Sequence, residues 1–212
     1  MPDQSSNTRI PRFFAALPDA LTSSVFLIAW ILPDAVGAQR IKDLMLTMVI
    51  EFIVMHSSAF YAVTLGLDVS RLKRALILTG LSGFYLIFIL GFSYGFKSTW
   101  PIWTFGWLFA SRFWHLWASP AADGKEASVM MTSWLISAMA YLGGVFATIF
   151  LPLPAFGITP SVIASLNLSG ISGLWVEKPY IVLAFGAFYF AVLALSKYKP
   201  LTFMPAFGRP GS

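Results

Sequence analysis

Long apolar stretches separated by short polar connections dominate the chain. A helix needs about 20 such residues, at 1.5 Å rise each, to cross roughly 30 Å of hydrocarbon. Six stretches meet or approach that length: Leu21 to Val36, Leu44 to Gly66, Ala75 to Phe96, Trp100 to Ala118, Ser128 to Leu151 and Tyr180 to Ser196. The first is the shortest; Asp19 is its expected N-cap, and Pro33-Asp34 loosens its far end. The pattern predicts an all-α, polytopic transmembrane bundle of about six spans. A segment before the first span, Ile10 to Leu17, mixes Arg12 with Phe13 and Phe14, as a short interfacial helix does. After the fifth span, residues 152–177 form a long, nearly uncharged loop with Pro152, Pro154 and Pro160. A loop that avoids charge points to an interfacial or re-entrant helix, with Ser161 to Leu168 as the amphipathic candidate.

The expected organisation is therefore a cytoplasmic N-terminal segment (1–19), a six-span membrane domain (20–197) and a cytoplasmic tail (198–212). Composition agrees: 58% of the 212 residues are hydrophobic and 11% charged, against roughly 25% charged in a soluble domain. Mean hydropathy is +0.76. Of the 14 Lys and Arg residues, all but Arg112, which lies inside a span, set orientation rather than recognition. Arg9, Arg12, Arg71, Lys73, Arg74, Lys125, Lys197, Lys199 and Arg209 fall on one side, and Arg40, Lys42, Lys97 and Lys178 on the other. That bias predicts both termini in the cytoplasm, in a bacterial inner membrane, and the polar N-terminus lacks a signal-peptide pattern. No basic cluster exceeds three residues, so nucleic acid is not an expected partner.

Close helix packing in lipid needs small residues at the contacts. Gly80, Gly83, Gly91 and Gly95 on the third span, Ala140, Gly144 and Thr148 on the fifth, and Ala187 and Ala191 on the sixth are candidates.

The absence of cysteine removes disulfides, thiolate nucleophiles and Cys-ligated metals. Phosphate loops and dinucleotide fingerprints are missing as well. Gly170-Ile-Ser172-Gly173 has the GxSG form used by rhomboid-type proteases, but both histidines of the chain precede it, which argues against proteolysis. No catalytic residue and no metal site is expected.

Chemistry would then reside in ionisable groups at membrane depth, which are costly and so functional candidates by default. These are Glu51, His56, Arg112 and His115, with Ser57, Ser58 and Tyr61 nearby. On a straight helix Glu51 and His56 point about 140° apart, so they do not serve one compact site. Arg112 and His115 share a face of the fourth span. Arg112 lies about 18 Å below the outer end and Glu51 about 10 Å, within reach of a long side chain if the spans adjoin. Trp103, Trp107, Trp114 and Trp117 occupy an arc of about 80° on the opposite face of the same span, a stripe suited to a partner helix or another copy.

Three functional expectations follow. The first is a non-catalytic subunit or assembly partner of a larger membrane complex, held by lipids and by other membrane subunits or further copies of itself. The second is a small transporter or proton- or ion-conducting protein using Glu51, Arg112 and the histidines. The third is a b-type membrane cytochrome, with His56 and His115 ligating haem from two parallel spans.

Overall fold

The structure is a computed structural model that describes residues 9–67, 69–118, 124–168 and 170–199. Among them there are helices and connections only: α1 (Arg9–Ile31), α2 (Pro33–Val36), α3 (Ala38–Gly66), α4 (Arg71–Phe96), α5 (Trp100–Ala118), α6 (Gly124–Phe150), α7 (Pro160–Ser165), α8 (Leu174–Glu177) and α9 (Pro179–Tyr198). The fold is an all-α bundle. Five helices, α1, α3, α4, α6 and α9, are long and apolar enough to cross a membrane. The 19-residue α5, expected as a further span, is not among them; it carries Arg112, His115 and several tryptophans.

Helix α9 is the axis. Ile181 to Gly186 are buried without interruption, as are Tyr189, Phe190, Leu193 and Ala194. A helix apolar on all sides is the one that can be surrounded. It packs against α1, α6 and α3, and α3 in turn packs against α4, which pairs with α5. Close approach is licensed at two glycines. Gly186 lies beneath the Phe26 ring of α1, where a Cβ would collide. A Cβ on Gly144 of α6 would stand 2.6 Å from Phe185.

Gly144 was expected from the small-residue pattern and Gly186 was not. The third-span glycines behave differently: Gly80, Gly83 and Gly91 face open space, and only Gly95 meets a neighbour, Ile171. Their outward placement follows from α4 being an outer helix whose Leu72, Leu76, Phe84, Ile87 and Phe88 are exposed.

The N-terminal segment differs from expectation. A separate interfacial helix ending before an Asp19 N-cap is not formed; α1 runs unbroken through Pro18, and the 19/20 boundary falls inside it. Asp19 is engaged elsewhere, in an ion pair with Lys197 Nζ at 2.6 Å. A carboxylate inside the helix serves to lock α1 antiparallel to α9 rather than to cap a new start. At its other end α1 stops at Ile31, and α2 begins on Pro33 at its first position, which suits a residue with no N–H to donate.

The long apolar loop does not lie free. Gly157 sits against Pro33 and the Ile31 carbonyl with no room for a side chain. Trp30 Nε1 donates to the Pro154 carbonyl at 3.0 Å, and the Trp30 and Phe156 rings meet edge-on at 4.8 Å. Leu166 and Ile158 are buried. The expected helix over 161–168 is shorter, Pro160–Ser165, with Thr159 as N-cap accepting from the Val162 N–H, and it is followed by Asn167 at φ +48°. Trp175 packs on Phe185 at 5.8 Å. The loop is thus a lid of apolar side chains over one end of the bundle, which explains why it carries so little charge.

Two outcomes are expected. Gly186→Leu should lower thermal stability in detergent by about 1–3 kcal/mol through overpacking against Phe26, while Gly80→Leu should stay within roughly 0.5 kcal/mol. The cysteine-free chain also permits a clean orientation test: an impermeant maleimide should label Ser161→Cys in intact cells and Ser5→Cys only after lysis, and the reverse would overturn the N-in assignment.

Candidate functional site

The polar residues at membrane depth resolve into two clusters about two turns apart along α3. Glu51 occupies the side facing α6 and α9. The Tyr189 hydroxyl donates to Glu51 Oε1 at 2.8 Å. Tyr141 of α6 sends its hydroxyl to the Met48 carbonyl at 2.8 Å, and its ring meets Tyr189 edge-on at 5.5 Å. Ser137 stands beside the Tyr189 hydroxyl and donates to the Ser133 carbonyl at 3.0 Å. Three helices therefore contribute to the surroundings of one carboxyl, each polar group finding the partner that a low-dielectric interior demands.

Arg112 forms the second cluster. Its guanidinium donates to Ser57 Oγ at 2.9 Å and to Ser58 Oγ at 2.5 Å, and stacks over the Tyr61 ring with Cζ 5.4 Å from the centroid. Tyr61 closes the contact by donating to the Arg112 carbonyl at 3.4 Å. Ser58 and Tyr61, noted from the sequence only as polar residues near Glu51, Arg112 and the histidines, thus both touch Arg112. An association of Arg112 with Glu51, which the sequence left open, is not formed: among the described residues the one ion pair is Asp19–Lys197. Ser57 and Ser58 lie six and seven residues beyond Glu51 on α3, about 10 Å along the axis. Arg112 bonds what stands at its own depth, and its planar fork of donors matches two neighbouring hydroxyls.

His56 turns away from both clusters. Its ring lies against Phe52 at 4.0 Å, and Nδ1 is 3.0 Å from the Phe52 carbonyl of its own helix. The side chains of His115 and Trp117 lie outside the described residues. Among the described residues no three His, Asp or Glu side chains assemble into a metal-holding group.

The remaining stripe residues point outward: Trp103, Trp107 and Trp114 are 78%, 78% and 75% exposed. Their indole N–H groups meet no acceptor among the described residues. Trp30, Trp100 and Trp134 contrast with them, donating to the Pro154 carbonyl, Asp43 Oδ1 and the Met55 carbonyl respectively. Phe109, Ala110, Phe113 and Trp114 line a surface depression of about 530 Å³ on the same helix.

Several participants were not foreseen. Tyr189 and Tyr141 are buried tyrosines in the middle of apolar helices, and a buried phenol must place its hydroxyl, which is the signal that would have found them. Asp43 binds the α4–α5 connection, accepting from Ser98 Oγ at 3.4 Å and Trp100 Nε1 at 3.3 Å.

The cluster geometry makes a thermodynamic prediction. A double-mutant cycle of Glu51→Gln with Tyr189→Phe, read by unfolding in detergent, should show coupling of about 0.5–3 kcal/mol, whereas Glu51→Gln with Arg112→Gln should be additive within roughly 0.5 kcal/mol. Coupling of the second pair as large as the first would mean that the two clusters act as one.

Compared with family models, curated proteins and solved structures, the chain matches none of them.

Proposed function

We propose that this integral membrane protein is a non-catalytic subunit or assembly partner of a larger membrane complex, and that the outward face of α5 is where it meets its neighbour. One observation carries the reading: the contrast between inward and outward tryptophans. Every hydrogen-bonded indole N–H named above finds its acceptor inside the chain, while those of Trp103, Trp107 and Trp114 are presented to the surroundings. An N–H left without an acceptor in hydrocarbon costs about 1–3 kcal/mol. Headgroups or water serve a tryptophan near the membrane surface. Trp107, seven residues into a 19-residue helix, lies about 10 Å from its start, and a neighbouring helix with carbonyl or hydroxyl acceptors supplies what lipid tails cannot. Large, rigid aromatic side chains are also the type that anchors interfaces.

The reading places six spans in a bacterial inner membrane with both termini in the cytoplasm, on the distribution of Lys and Arg. A conducting path through Glu51, Arg112 and the histidines ranks behind it, because the two charged groups bond different neighbours about two turns apart on α3.

Site-directed photocrosslinking in host membranes tests it. A photoreactive residue at Trp107 or Trp114 should yield a discrete protein adduct, and the same residue at Ile87 on the exposed face of α4 should not. Lipid-only adducts at the α5 positions, together with migration of the protein as a monomer in native gels, would overturn the proposal.

A further inference from the structure

A second feature lies between α3 and α6, and its α3 wall shares Ser58 with the Arg112 cluster. Between α3 and α6 runs a crevice of about 330 Å³. Its α3 wall is the stripe Glu51, Met55, Ser58, Ala59 and Ala62, spaced as one face of a helix, and the small side chains of Ala59 and Ala62 keep it open. Its α6 wall is Met131, Trp134 and Ser137, with Ser133 exposed on the rim. At the Glu51 end the fully buried Met48 and the paired tyrosines close the space.

The polar groups within the crevice share one property. Tyr189 occupies Glu51 Oε1, and no donor among the described residues meets Oε2. Ser137 directs its hydroxyl hydrogen to the Ser133 carbonyl and leaves lone pairs for the cavity, whereas Ser58 gives its hydrogen to the Val54 carbonyl and accepts from Arg112. The one N–H in the wall, Trp134 Nε1, is spent on the Met55 carbonyl at 3.1 Å, which also fixes the indole as a flat side. The crevice therefore offers acceptors and no free donor, on an otherwise apolar lining. An anion would face the Glu51 carboxylate, and the nearest guanidinium, Arg112, lies outside the lining and is turned to Ser57 and Ser58. An ammonium group is a donor with no acceptor of its own, and an indole face and thioethers suit an apolar body beside it.

We propose that the α3–α6 crevice binds a primary ammonium group carried on an apolar body. The ammonium donates to Glu51 Oε2 and Ser137 Oγ, and the body lies along Met55, Met131 and Trp134. A lipid with an amine headgroup and a free amphiphilic amine share this chemistry.

The test uses the full chain in phosphatidylcholine nanodiscs, with 2-phenylethylamine as probe and 2-phenylethanol and 3-phenylpropionate as controls of similar shape. Calorimetry should give saturable binding of the amine, about tenfold or more tighter than either control. Glu51→Gln keeps an acceptor for Tyr189 and should weaken the amine by about tenfold. Ala59→Phe fills the crevice without touching Glu51 and should abolish binding while the protein stays monodisperse. Equal binding of amine and alcohol, unchanged affinity in a folded Glu51→Gln, or no saturable binding by the unaltered protein would each overturn the proposal. Should both variants fail to fold, the comparison of amine with alcohol on the unaltered protein decides alone. Repeating the titration with phosphatidylethanolamine in the disc separates the sources: competition identifies the headgroup, and its absence identifies a free amine.

Discussion

The seating of α9 against α1 is the contact on which the rest of the bundle depends. Gly186 allows the Phe26 ring to lie on the α9 backbone, and the Asp19–Lys197 pair holds the other end of the same two helices. With α1 in place, α6 closes from a second side through Gly144 and Phe185, and α3 from a third. A helix with no polar face has no preferred direction of its own toward lipid or protein. Its register is set by shape, and two glycine contacts at nearly one height on α9, Gly186 with Phe26 and Gly144 with Phe185, provide that shape. The loop after α6 then follows, because Gly157 rests on the end of α1 and Trp175 on Phe185 of α9.

The placement of α9 also determines where the carboxyl of Glu51 ends up. Tyr189 projects from the buried axis and fixes one of the two oxygens, leaving the other to the space between α3 and α6. Arg112 reaches α3 from α5, an outer helix, about two turns further along. A single helix, α3, thus carries two polar environments about two turns apart, each satisfied by a different neighbour.

Among the polar residues, legibility followed a simple rule. Residues whose cost in hydrocarbon is large were visible by type: Glu51, Arg112 and the outward tryptophans all stood out from the sequence. Their partners were not, because a serine or tyrosine in a membrane helix is ordinary until something is seen to bond it. Ser58 and Tyr61 were found by proximity in sequence to other polar groups, whereas Tyr189 and Tyr141 lie 138 and 90 residues from Glu51 and have no such cue. The glycines failed in the same way: Gly144 and Gly80 look alike in a window of neighbours, yet one meets a ring and the other faces open space.

The sequence by itself determined the class of fold, the approximate extent of each long helix and the short list of residues at which chemistry would have to reside. Hydrophobic run length and the solvation cost of charge are local properties, written residue by residue. Which helix is central, that Asp19 pairs rather than caps, that α1 is unbroken at Pro18, and that Glu51 and Arg112 stand apart were decided only in three dimensions. Each depends on which surfaces touch, and helices that are apolar on every face carry no local mark of their neighbours.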